Sequence, residues 1–321
     1  MMEAATTELA DDSVEFALRE ELARGDELIV SAKQVLGHLL ANHDRSIFSD
    51  AVLARIRGML SHVESQLLTF LAEKSGVEDR GNFVEQRSGP LKAALASNAV
   101  ALTHAHSLAI EWQLAERLQR SGGLDPVLSP MLQRLVASDD ADTAEIAMGF
   151  LASQARFVQQ QRRMELPLTE LPGDLLHGVL QAWSAVASEA DAEAVTAVER
   201  DLRNAFDEGR SRLGLMARLV TGFKEGAASG LNISDSGVAL FLTSMALASG
   251  QDRRLVALST HEDQLARLLL SLRCAGLERE AVFALLAVLH PEIAIPDGME
   301  IVGPDRAAEL LSDSSIVLAE A

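Results

Sequence analysis

Apolar residues recur at three- and four-residue spacing along most of this chain. No segment of strand length alternates apolar with polar, so the pattern predicts helices. Residues 13–40 carry Val14, Leu18, Leu22, Leu28, Val35, Leu36 and Leu39 at helical positions, with Gly25–Asp26 read as a break between two helices. Residues 44–76 predict one long helix, with Ser49 as its cap, Asp50 in its first turn and Gly76 as its stop. The polar run VEDRGNFVEQRSG (77–89) reads as a loop, and Pro90 suits the first position of a helix that continues to Arg120 with a break near Thr103.

SGGLDP (121–126) marks the clearest boundary. Beyond it, helices are expected over 126–137, 141–160, 174–188 and 192–209, with acidic corners at Asp139–Asp140 and at SEAD, and with the proline-bearing LPLTELPGD (166–174) as an extended connector. Further on, a shift of 26 residues lays Gly250 on Gly276, Asp252 on Glu278, Arg253 on Arg279 and Val256 on Val282. Each copy reads as a helix, a glycine stop, an acid and a new helix. EIAIPDGMEIVGPD (292–305) is the one candidate extended stretch, and SDSSIVLAEA reads as a tail. The expected fold is all-α: an irregular α-solenoid of HEAT-like helix pairs over 90–295, preceded by an N-terminal helical bundle over 1–89 and followed by a tail over 296–321.

Composition agrees with close-packed helices. Of 321 residues 48% are hydrophobic, tyrosine is absent, and phenylalanine and tryptophan number 10 and 2, so alanine and leucine must fill the interior. Charge narrows the partners. With 28 Lys and Arg against 47 Asp and Glu the net charge is −19, a field that repels phosphate backbones and anionic lipid and favours a protein with a basic face. The nearest basic cluster, around Arg162 and Arg163, is short. The N-terminus is acidic without an apolar stretch, and GVALFLTSMALAS (237–249) falls short of the ~20 residues that cross a bilayer. A cytoplasmic protein without membrane insertion is expected.

Candidate chemistry is sparse. SDDADTAEIA (138–147) places Asp139, Asp140, Asp142 and Glu145 within seven positions. An EF-hand loop begun at Asp140 fails: its fifth place is Ala144, its sixth Glu145 and its twelfth Leu151. A helix cap needs only an acid ahead of the helix, which is what stands there. His104 and His106 lie two apart, about 200° round a helix, and cannot grip one metal from one face. His38 and His43 are five apart; His62, His177, His261 and His290 are single, and Cys274 reads as a buried thiol. No phosphate loop and no nucleophile elbow occurs. No catalytic, metal or cofactor-binding residue is assigned, and no enzyme activity or cofactor is expected.

LDPVLSPMLQRLVASDDADTAEIAMGFLASQARF, followed by ELPLTELPGDLLHGVLQAW, resembles an alphaproteobacterial family of helical proteins labelled as a domain of unknown function, as does the later DQLARLLLSLRCAGLEREAVFALLAVLHPE. The resemblance spans roughly residues 95–295 and includes the leucine- and proline-rich link Leu166 to Pro172 before a helix bearing Trp183. It implies a variant HEAT-type array and brings no active site. The leading expectation is a non-enzymatic binding or scaffold protein. A signalling adaptor with a dimerising or phosphotransfer-like N-terminal bundle around His62 stands second, and a metalloprotein using His104, His106 and Glu111 third. Self-association through the N-terminal helices is a further expectation.

Overall fold

The computed structural model describes residues 14–31, 50–187, 191–291 and 302–314. Helices make up most of these, with no strand among the described residues. The expected Val35–Leu39 segment, His38, His43, the Ser49 cap, part of the SEAD corner, most of the 292–305 stretch and most of the tail lie outside the described residues.

By internal contacts the chain divides into two units, each assembled from separate stretches of sequence. One takes 1–32, 113–144 and 219–317; the other takes 33–112, 145–218 and 318–321. The expected division ran sequentially along the chain, whereas these units interleave it.

The second unit is organised on α2 (Asp50–Lys74). Its Leu53, Ile56, Met59, Leu60, Val63, Leu67 and Leu71 form a buried stripe at three- and four-residue spacing. Those seven side chains contribute on the order of 10–20 kcal/mol of gross burial, an upper bound before chain entropy. Against α2 pack α3 (Arg80–Arg87), α4 (Pro90–Ala96) and α9 (Ala192–Ala205), and α8 (Gly173–Val186) packs on α4. α3 occupies the stretch expected to be a loop. Asp79 caps it by accepting from Asn82 N at 3.1 Å, Arg87 stacks over Phe83 at 4.3 Å, and Arg87 also pairs with Asp191. These local polar contacts stand in for apolar burial, since α3 buries no side chain. The break expected near Thr103 falls earlier, at Ser97–Asn98. Asn98 Oδ1 accepts from Val100 N and Ala101 N, both at 2.9 Å, and so starts α5 (Ala99–Gly122).

The first unit centres on α11 (Ile233–Ser249), α12 (Arg253–Ser259), α13 (Leu265–Cys274) and α14 (Arg279–Leu289). Phe241, Leu242, Met245, Leu268, Leu272, Leu286 and Leu289 share its main core. A second cluster joins Leu18 and Leu22 of α1 (residues 14–31) to Leu270 and to Ala307, Leu310 and Leu311 of α15 (Pro304–Ser312). The 26-residue repeat is geometric as well as sequential. Gly250 and Gly276 hold φ of +67° and +87°. Beyond each, the next amide closes the same six-residue loop, Gln251 N to Ala246 O and Leu277 N to Leu272 O, both at 3.1 Å.

Two start signals of this unit differ from expectation. α1 runs unbroken through Gly25–Asp26. There the missing Cβ is a packing device: a Cβ on Gly25 would stand 2.7 Å from Gln264 Oε1. α6 (Pro130–Val136) begins four residues late because Asp125 folds 125–128 into a turn and Ser129 Oγ accepts from Leu132 N ahead of Pro130.

No single helix among the described residues is long and apolar enough to cross a membrane. α11 and α12 together approach that composition, but they bend by 116° and fill the core of this unit.

Candidate functional site

The acidic corner resolves as a cap. Asp140 Oδ2 accepts from Thr143 N at 3.1 Å and from the Thr143 hydroxyl, starting α7 (Ala141–Arg162). Those hydrogen bonds hold the Asp140 carboxyl below the usual carboxylate range, with Lys224 a smaller influence. Asp139, Asp142 and Glu145 stand exposed around it.

The histidines are dispersed. His62 is half-buried on α2, where its Nδ1 accepts from Leu166 N at 3.1 Å beside Gln66, whose Nε2 donates to Leu166 O at 2.9 Å. The ring and amide together pin the 166–168 connector to α2. His104 is buried and His106 half-buried on α5, and His177 is exposed beside Gln181. Among the described residues no group of three or more His, Cys, Asp or Glu side chains could hold a metal ion. The Cys274 thiol lies 3.4 Å from Ser249 O, and burial pushes its titration up.

Buried charge is concentrated in clusters that the sequence did not signal. In the second unit, Arg212 pairs with Glu111, donates from Nε to Gln154 Oε1 at 2.6 Å and lies 3.7 Å over the Phe157 ring. Glu170 Oε2 accepts from the Arg212 backbone N at 2.8 Å. In the first unit, Arg267 meets Asp26 at 2.5 Å, and Ser314 bridges the two by donating to Asp26 Oδ2 at 2.7 Å. Glu64, on the apolar stripe of α2, accepts from Gly89 N, Leu91 N and Lys92 N at 2.8, 3.1 and 3.2 Å, and so caps α4 from another helix. Each of these carboxylates is compensated within its own unit, as buried charge must be. Among them the sequence singled out Glu111, as a metal ligand, and Asp26, as part of a helix break. The sole signal for the others was an acid or arginine within an apolar run.

One opening belongs to the first unit, a cleft of about 410 Å³. One wall comes from the 3₁₀ turn Ala227–Leu231 and the start of α11, giving Ala228, Ser229, Leu231, Asn232, Ile233 and Ser234. The other comes from α14 and the residue before its cap, giving Leu277, Ala281, Ala284, Leu285 and Val288. No lining residue titrates. Ala281, Ala284 and Val288 are exposed although they continue the apolar period of α14. A small second opening, about 20 Å³, lies beside Arg212, Gln161 and Glu170 in the second unit.

Comparison with protein-family models, curated proteins and solved structures returned no match.

Proposed function

We propose that this chain is a non-enzymatic protein-binding or scaffold protein of the bacterial cytoplasm, in which HEAT-like helix pairs present an acidic surface to a partner with a basic face. The observation that carries the reading is the composition of the cleft in the first unit. It offers apolar contact area and hydroxyl groups and no titratable side chain, which suits recognition of a surface better than proton or group transfer. The net charge of −19 supports a cationic partner, because complementary fields raise the encounter rate and disfavour anionic competitors. The buried carboxylates Asp26, Glu64 and Glu111 are engaged by structural partners, which fits a framework role.

The test is recovery of the tagged chain from its own host at low and at moderate salt, followed by reconstitution with each purified co-eluting protein. The expected result is a basic protein that binds directly and is released as salt rises. Failure to recover any directly binding, salt-sensitive partner overturns the proposal.

A further inference from the structure

We propose that the cleft of the first unit docks one cationic amphipathic helix of the partner, with the helix's apolar edge laid along α14. This rests on the binding-protein reading above and adds the kind of element that binds and where.

The argument starts from α14. An amphipathic helix ordinarily turns its apolar period inward. Here Val282, Leu285, Leu286 and Leu289 do so, yet Ala281, Ala284 and Val288 extend the apolar surface outward at spacings of three and four, with Val288 44% exposed. From Ala281 to Val288 the stripe rises about 10 Å, the length of two helical turns. Its two alanines leave room for another backbone to approach. Across the cleft, the buried Leu231 and Ile233 form its apolar floor, and the exposed Ala228, Asn232 and Ser234 stand at its edge. A groove of this kind takes a helix through anchors one or two turns apart.

Charge selects the sign of that helix. Exposed acids adjoin both walls: Glu225 precedes the turn that bears Ala228, and Glu278 and Glu280 lie between the lining residues Leu277 and Ala281. Lys224 and Arg279 are the neighbouring bases, and Arg279 lies 5.4 Å from the Phe283 ring. Against the excess of 47 acids over 28 bases in the whole chain, an apolar strip edged by lysine or arginine is the complementary surface.

The probe is a synthetic Leu/Lys amphipathic peptide of about 18 residues, long enough to hold a helix. Its Leu/Glu counterpart of equal amphipathicity and a scrambled Leu/Lys peptide serve as controls, and binding to the full chain is measured by fluorescence anisotropy. The proposal expects the Leu/Lys helix to bind and both controls to bind at least about tenfold more weakly, roughly 1.4 kcal/mol. Ala284→Trp, at an exposed position, should fill the groove and weaken the peptide by about tenfold or more with an unchanged far-UV spectrum. Glu278→Gln with Glu280→Gln should weaken it by a few-fold and flatten its salt dependence. Binding that ignores Ala284→Trp overturns the proposal, and so does a wild-type chain that binds no Leu/Lys peptide. Self-association that Ala284→Trp abolishes, seen by sedimentation velocity, would make a second copy the occupant and equally overturn it. If Ala284→Trp keeps its native partner in the recovery experiment, the docking site fails while the binding-protein reading stands; if no such partner exists, that reading fails first.

Discussion

Removing one member of the Glu111–Arg212 pair should cost more than the pair itself contributes. The Arg212 side chain is 3% exposed and that of Glu111 2%, so either partner left alone is a charge without water. Glu111→Ala is expected to destabilise the fold by about 3–5 kcal/mol, and Glu111→Leu with Arg212→Met to recover most of that loss, because the double replacement leaves no orphaned charge. Urea titrations of the two variants check this; a double variant as unstable as Glu111→Ala would show that the pair is net stabilising. Gly25 poses a similar competition. Alanine in a helix interior is favoured over glycine by about 1 kcal/mol, but its Cβ would stand 2.7 Å from Gln264 Oε1, and Gln264 Nε2 already donates to Gly25 O at 2.8 Å. Moving the Gln264 amide aside gives up that hydrogen bond, worth about 0.5–1.5 kcal/mol, so the two effects offset and Gly25→Ala should leave the melting temperature within a few degrees of the wild type, short of the gain an open helix site would show.

Among the helices, the two copies of the 26-residue repeat differ at the cap. Asp252 Oδ1 accepts from Arg254 N at 2.7 Å, whereas Glu278 makes no side-chain cap bond. Asp252→Ala should therefore cost about 1 kcal/mol, and Glu278→Ala close to nothing, which thermal melts of both variants would separate. The repeat was legible in the sequence because glycine stops and acidic starts are local, steric and electrostatic signals. So were α2, Pro90 at the start of α4 and the acidic corner as a cap. Element edges were less legible where two local signals compete. Ser129–Pro130 outranks Pro126 as the start of α6, and Asn98 outranks the β-branched Thr103 as the break before α5. Helix α3 was hidden because nothing in RGNFVEQR is buried; its Asp79 cap and Arg87–Phe83 stack are local, and only Asp191 is brought to it by folding. Gly25 read as a stop because sequence cannot tell a glycine that turns the chain from one that admits a neighbour.

At the level of the whole molecule, function was least legible because its candidate surface is made of positions that look like core. Ala281, Ala284 and Val288 carry the same periodicity whether a helix covers them or not, and their facing residues lie about fifty positions earlier in the chain. Charge was legible throughout, and it frames the response to acid. Between neutral pH and pH ~5 the groups with ordinary values in that range are the histidines, and among the described residues His290 is displaced downward. Burial is the main cause, with Arg117 next and His261 adding to it, while Glu262 and the Thr260 backbone oppose; Nε2 meets no hydrogen-bond partner. The folded protein thus takes up this proton less readily than the unfolded chain. Its stabilising effect is complete above the unfolded value near 6.5 and is lost as pH falls below it, by at most about 1.4 kcal/mol per pH unit. The global term has the opposite sign, since each proton gained elsewhere eases the self-repulsion of a chain at −19. His290→Gln keeps a neutral polar group and removes only the local term. Urea midpoints followed by far-UV ellipticity should fall between pH 7 and pH 5 more steeply in the wild type than in His290→Gln. Equal slopes would place the imidazole in contact with water and shift the acid response to the surface carboxylates.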